Sequence, residues 1–357
     1  MKFQTNKEKE LWGVMLGTAL GDSIGLPFEG IGRKRILKLF KNQNRHHFIF
    51  GRGMISDDTE HTIMVYQSLV EGFQDSSIFE KSLSRRMKLW LLSLPAGTGI
   101  ATAKAIVKLI IGFNPNKSGV DSAGNGPAMR CAILGVLYGH DKEKLREYIK
   151  RSTRITHTDI KAEFGALAVA HAAYLFSNSN KINPSIFYNS LQHLLEVEDN
   201  NEFLLLIKKV TDSVGRNEET WVFAENLGLN NGVTGYMYHT IPVVLHAWLS
   251  YKGDFKDSIV KMIQCGGDVD TTAAILGSIL GAGLEEKDMP HSWRKGLFEF
   301  PRSYHYMKKL SQQLSTSINE DKPQKALRLS GIMIVLRNVL FLMIVLFHGF
   351  RRLLPPY

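Results

Sequence analysis

A chain of 357 residues that is 44% hydrophobic can bury a large core, which excludes a disordered or low-complexity protein. Its formal charge of +10 favours anionic partners, but the basic residues are spread along the chain without an aromatic-interleaved or basic-helix motif, which argues against nucleic acid as a partner. Two distant cysteines, Cys131 and Cys265, exclude a disulfide framework and read as packing residues of an intracellular, cytoplasmic body, and the polar stretch Met1 to Glu10 does not read as a signal peptide.

The first predicted helix runs from about Lys7 to Ile24 and carries Gly13, Gly17, Gly21 and Gly25 at a spacing of four. Glycine costs a helix about 1 kcal/mol per residue, so such a ladder implies a bare face on which another helix lies very close. Ala273, Gly277 and Gly281 repeat the spacing near the other end of the chain and mark the partner. If the two faces meet, Asp22 and Glu29 come near Asp268 and Asp270. Residues 25–30 form a turn that exposes Glu29, and the basic stretch from Arg33 to Gly53, with His46 and His47, reads as a solvated loop.

Helices are predicted at about 62–73, 78–94 and 99–112, with a break at Pro95 to Gly99. Apolar residues recur at i, i+3, i+4 in nearly every segment, and sustained alternation of period two is scarce, so the fold class is all-α. Gly124-Asn125-Gly126-Pro127 then opens an apolar helix, and its amides suit a phosphate or sugar hydroxyl as well as they suit a plain loop-to-helix junction. Thr156-His157-Thr158-Asp159 precedes a helix over Ala162 to Leu175, where His157 either starts the helix without a role or faces a site. Residues 178–226 show helical patterning without chemistry and read as a cap on the bundle. In the loop around Gly235, Tyr236 is the better candidate than Tyr238 to stack on a purine or ribose, and a helix is predicted from Val243 to Leu249.

Two acid clusters each precede a helical pattern: Ser56-Asp57-Asp58-Thr59-Glu60, and Gly266-Gly267-Asp268-Val269-Asp270-Thr271. Asp270 alone would serve as a helix cap. Two oxygen-rich turns of this kind are instead the halves of one site. Aspartates converging without Cys or His specify hard, oxygen-preferring cations, because bare carboxylates repel one another.

The segments GTALGDSIGLPFEG, SDDTEHT, GNGPAMR, THTD, TGYMYHTIP and GGDVDTTAA, in this order, resemble the ADP-ribosylglycohydrolase family, of which the dinitrogenase reductase-activating glycohydrolase is a member. The resemblance covers roughly residues 8–310 and implies a compact multi-helix bundle with a binuclear Mg²⁺ or Mn²⁺ centre in a central cleft. It implies that Ser56, Asp57 and Asp58 serve one ion and Asp268 and Thr271 the other, with Asp270 bridging. Glu29 matches the glutamate near the metals, and Asn125 and Tyr236 match positions around ADP-ribose. Val269 and Pro127 depart from the family pattern without removing a ligand. Glu29 or Asp58 would act as the base, and the diphosphate would lie on the amides of Gly124 to Gly126. The function so implied is metal-dependent cleavage of ADP-ribose from a protein side chain, arginine first, or from a smaller conjugate; the alternative is a silent ADP-ribose binding module.

The domain plan is a catalytic body at 1–312, a polar linker at 313–328 and an apolar tail at 329–357. The run from Ile332 to Phe350 approaches the ~20 residues that span a bilayer, interrupted by Arg337, Asn338 and His348. The tail reads first as a membrane anchor dispensable for chemistry, then as an interfacial or partner-binding helix, and last as a helix folded onto the body.

Overall fold

The computed structural model describes residues 6–179, 182–195, 201–251 and 253–353. At its centre the N-terminal helix (Asn6–Gly25) lies against the helix Val269–Gly283. The glycine ladder sets that approach: a Cβ on Gly17 would sit 2.1 Å from the Gly277 carbonyl oxygen, and one on Gly21 would sit 2.0 Å from that of Ala273. No side chain larger than a hydrogen fits, so the two small faces pack backbone to backbone, as the spacing predicts. Around this pair stand the helices Asp57–Gly72 and Tyr304–Asn319 on one side, and Ile160–Asn178 and Met237–Ser250 on the other. The apolar faces of these helices merge into one core.

Among the described residues the only sheet is a two-residue antiparallel ribbon, Ile31–Gly32 with Gly266–Gly267. The fold is all-α, as the periodicity predicts. The helices expected at 62–73, 78–94 and 99–112 are Asp57–Gly72, Ser76–Leu92 and Ile100–Ile110. The first begins early because the Ser56 hydroxyl caps it, accepting the Asp58 N–H at 3.3 Å. The helix expected after Pro242 starts at Met237 and carries the proline inside it. The capping region contains Pro184–Leu195, Asn201–Gly215 and Thr220–Asn226, and positions 180–181 and 196–200 within it lie outside the described residues.

Three expectations need correction. The stretch from Arg33 to Gly53 is not a solvated loop: it opens with the helix Arg33–Leu39, and His46 is buried, with Nε2 2.8 Å from the Trp293 carbonyl. His47 packs its ring edge-on against Phe28 and Phe40. The region 313–328 is not a free linker, because the helix Tyr304–Asn319 runs through its first part and the rest is tied down. Gln324 donates its N–H to the Val70 carbonyl at 2.9 Å, and Leu327 donates to Gln313 Oε1 at 3.0 Å. The tail is a helix, Gly331–Arg351, long and apolar enough by composition to cross a membrane, yet it lies along the body. The residues that interrupt its apolar run explain why. Arg337 and Asn338 are buried, and their side chains bond to Glu60, Glu299 and Ser93, so the stripe that carries them and Phe341 faces protein, while residues such as Leu340 and Met343 face outward. Its end at Pro355-Pro356-Tyr357 lies outside the described residues.

Candidate active site

The two acid turns meet across the central helix pair. The first turn is held by Asp22, which points from the N-terminal helix and accepts the Ser56 N–H at 2.9 Å, the Thr59 N–H at 3.2 Å and the Thr59 hydroxyl. The second is held by the ribbon: Gly266 and Gly267 adopt φ of +70° and +89°, a backbone that only glycine takes without strain. Gly30 donates its N–H to the Gly267 carbonyl at 2.8 Å, and Glu29 Oε2 accepts the Val269 N–H at 2.9 Å. Glu29 therefore lands beside Asp268 and Asp270, and oxygens of these three carboxylates lie within 4.8 Å of one another.

Ser56, Asp58 and Thr271 join the halves, because Asp58 Oδ2 accepts the Ser56 hydroxyl at 3.1 Å and the Thr271 hydroxyl at 3.2 Å. Asp268 Oδ2 takes the Asn125 side-chain N–H at 2.6 Å. Glu29, Ser56, Asp57, Asp268, Asp270 and Thr271 line a cleft of about 700 Å³, whereas Asp58 is buried beneath it.

Burial raises every one of these carboxyls, and hydrogen bonds from Asn125 and Thr271 oppose that rise at Asp268. Asp57, Asp58 and Asp270 lie well above the ordinary aspartate range, through burial first and then through repulsion between the acids. Burial also raises Asp268, and it lifts Glu29 to about 7 and Asp22 to about 6. Two carboxylates ~4 Å apart repel by about 4 kcal/mol at the effective dielectric of a protein. Asp58 Oδ1 is moreover buried without a hydrogen-bond partner. A crowded all-oxygen donor set with an orphaned buried carboxylate oxygen fits a hard divalent cation.

Gly124, Asn125, Gly126, His157 and Gly235 form another wall of the same cleft. The Asn125 N–H is taken by the Gly235 carbonyl at 2.9 Å, and the Gly124 N–H by Ser122 Oγ at 3.3 Å. Two of the three amides expected to receive a diphosphate are thus already engaged, which corrects that expectation. The Asn125 side chain serves the second acid turn. His157 reaches the cleft as a neutral imidazole, its pKa lowered to about 3 by burial and by Arg130. Tyr236 does not line the cleft. Its hydroxyl accepts from Lys161 Nζ at 3.1 Å, and its ring packs edge-on against His239.

Four side chains and one loop support the site beyond the residues that the sequence marks as candidate ligands and substrate contacts. Asp22 was placed near the acids on geometry alone, and its signal is that it is an acid inside a smooth apolar helix. Arg130 is fully buried and donates to the Gly126 carbonyl at 2.9 Å and to Thr156 Oγ1 at 2.8 Å, so it braces the loop and the residue before His157. Glu60 and Glu299 support the first turn from behind. The loop at Ala96, Gly97 and Gly99 to Thr102 also lines the cleft, and its signal was the Pro-Gly break.

A family model for ADP-ribosylglycohydrolase matches residues 4–324. An uncharacterised protein of Archaeoglobus fulgidus is 29% identical over 81% of this chain and 92% of its own length. ADP-ribosylhydrolase ARH3 of Xenopus tropicalis is 24% identical over 84% of this chain and 94% of its own. The ADP-ribosyl-[dinitrogen reductase] glycohydrolase of Rhodospirillum rubrum is 25% identical over 79% and 87%. A solved ADP-ribosylglycohydrolase-related protein complex shares the fold, with a TM-score of 0.57 and 21% identity over 88% of this chain and 99% of that one. Helical architecture, acid turns and family match agree: the chain belongs to the ADP-ribosylglycohydrolase family and is a glycosidic hydrolase of that kind.

Proposed function

We propose that the protein releases ADP-ribose from a modified protein side chain, an arginine N-linkage first, or from a smaller ADP-ribose conjugate, using two Mg²⁺ or Mn²⁺ ions. The observation that carries this reading is the convergence of Glu29, Ser56, Asp57, Asp268, Asp270 and Thr271 on one cleft whose other wall is Asn125, His157 and Gly235. Ser56, Asp57 and Asp58 would hold one ion, Asp268 and Thr271 the other, and Asp270, a close charge neighbour of both turns, would bridge them. Bound metal would supply Lewis-acid stabilisation of the ribose hydroxyls and of a water.

The chain's own groups supply the rest. Glu29 opens onto the cleft while Asp58 lies below it with both hydroxyl partners on one oxygen, so Glu29 is the base and Asp58 a structural ligand. A carboxyl raised to about 7 accepts a proton from water near neutral pH more readily than an ordinary glutamate. The same carboxylate steadies positive charge as the bond at the ribose anomeric carbon opens through an oxocarbenium-like state. Neutral His157 and the Asn125 loop shape the ribose and diphosphate side without adding charge. The catalytic body works in the cytoplasm, in keeping with two buried, unpaired cysteines.

Purified protein incubated with arginine- and serine-ADP-ribosylated peptides, in Mg²⁺, Mn²⁺ or EDTA, is expected to release ADP-ribose from the arginine linkage with metal only. Unchanged release in EDTA would overturn the metal mechanism, and binding of ADP-ribose without release from any conjugate would point to a silent binding module. Glu29→Gln is expected to keep its metals and lose about a hundredfold or more in rate.

A further inference from the structure

The family match ends at residue 324, yet the helix beyond it reaches into the cleft. Arg337, Phe341, Val345 and His348 recur every three or four residues along Gly331–Arg351, Arg352 continues their stripe at the helix C-cap, and this stripe faces the body. Arg337 donates through Nε and Nη2 to the two oxygens of Glu299, at 2.8 and 2.7 Å, through Nη1 to Glu60 at 3.1 Å, and through Nη2 to the Ile55 carbonyl at 2.6 Å. Glu299 in turn accepts the Ile55 N–H at 3.2 Å. Both sides of the residue just before Ser56 are thus clasped by one ion pair.

The neighbouring contacts follow the same pattern. Asn338 Nδ2 donates to the Ser93 carbonyl at 2.8 Å, where the cleft-lining loop through Gly97 begins. Arg352 donates to the carbonyls of Glu29 at 2.6 Å and Pro27 at 3.0 Å, bracing the turn that presents Glu29. Phe341 and His348 pack on Phe48, and Val345 joins them on the cleft wall. One helix therefore grips three of the segments that carry the site.

We infer that the C-terminal helix is part of the active site: Arg337 is a positioning residue for the first acid turn, and the stripe from Phe341 to Arg352 walls the cleft beside Phe48 and the turn that presents Glu29. Resting on the proposed ADP-ribose reading, that wall bounds the leaving group, and its apolar, aromatic character selects which conjugates enter. The apolar residues on the opposite stripe, such as Leu340 and Met343, take no part.

The test uses full-length protein. Arg337→Lys keeps a cation for Glu60 and Glu299 but lacks the fork that also reaches Ile55, so it is expected to fold with a native circular-dichroism spectrum. Its Mn²⁺ affinity, by calorimetry, should fall about tenfold, the usual cost of losing a support of a metal ligand. Val345→Trp is expected to raise KM for an ADP-ribosyl-arginine peptide at least fivefold while the Kd for free ADP-ribose stays within twofold. Leu340→Gln is the control and should match the native protein in every reading. Native Mn²⁺ affinity in Arg337→Lys together with native KM in Val345→Trp overturns the inference. Should Arg337→Lys not fold, Val345→Trp alone decides, by the split between KM and free ADP-ribose binding. If the native chain binds Mn²⁺ but releases no ADP-ribose, the functional reading fails while the Arg337→Lys titration still decides the positioning role.

Discussion

The two acid turns present similar oxygens but are held by different physics. The first, at Ser56 to Glu60, sits in a web of charge: Asp22 takes its amides, Arg302 and Arg337 pair with Glu60 at 2.9 and 3.1 Å, and the Arg337–Glu299 pair clasps Ile55. The second, at Gly266 to Asp270, is held almost wholly by backbone. Gly266 and Gly267 pair with Ile31–Gly32, the Asp268 N–H donates to the Val233 carbonyl at 2.8 Å, and the helix behind them packs on bare glycine faces. A turn fixed by backbone packing tolerates almost no added volume. A turn fixed by buried charge tolerates volume but depends on every partner being present.

The largest expected effect on folding comes from breaking the backbone-held half. In Gly277→Val the new Cβ would lie 2.2 Å from the Gly17 carbonyl oxygen, so the central helices must part. Overpacking against backbone is expected to cost about 3 kcal/mol or more, read as a fall in thermal midpoint. A midpoint within a degree of the native value would show that the pair is not rigid.

A second substitution sharpens the comparison at the point where the halves share a ligand. Asp270→Asn is expected to lower turnover about a thousandfold, equivalent to roughly 4 kcal/mol of transition-state stabilisation, and to weaken both ions. Asp57→Asn belongs to the charge-held turn alone and should disturb mainly one. Calorimetric metal titrations of the two variants check this, and unaltered two-site binding in Asp270→Asn would remove the bridging role.

The same contrast explains what the sequence made legible. The glycine ladders at Gly13, Gly17, Gly21 and at Ala273, Gly277, Gly281 are local patterns with one physical meaning, so the central pair and the approach of Glu29 to Asp268 and Asp270 could be read from spacing. The acids announced themselves by type. The charge web could not be read in this way, because Asp22, Glu60, Glu299, Arg302 and Arg337 lie far apart in the chain and nothing local says which acid meets which arginine. For the same reason Arg337 looked like a defect in a membrane span, when its partners are Glu60 and Glu299. Tyr236 was preferred to Tyr238 on its loop and by its match to a family position, and Lys161, Tyr238 and His239, brought in by the fold, hold it beside the cleft.

The smallest expected effect concerns protons and metal in competition. Burial foremost raises Glu29 to about 7 and Asp22 to about 6, above the ~4 of unfolded carboxyls. A raised carboxyl binds more protons folded than unfolded. Its contribution to stability is therefore full below about pH 4 and is lost as pH rises through 6 and 7. Histidines act in the opposite sense: burial lowers His157 to about 3 and His246 to about 4, so they favour the fold above the unfolded histidine pKa. That term is common to metal-free and metal-loaded protein and cancels in their difference. Metal takes the place of the protons that the acids lose, so the rise in thermal midpoint on adding saturating Mn²⁺ should be slight at pH 5 and grow by a few degrees towards pH 8. Asp270→Asn should flatten that growth because it removes the carboxyl that repels both turns, and a metal-induced shift that is the same at pH 5 and pH 8 in the native chain would mean that cations do not bind through these raised acids.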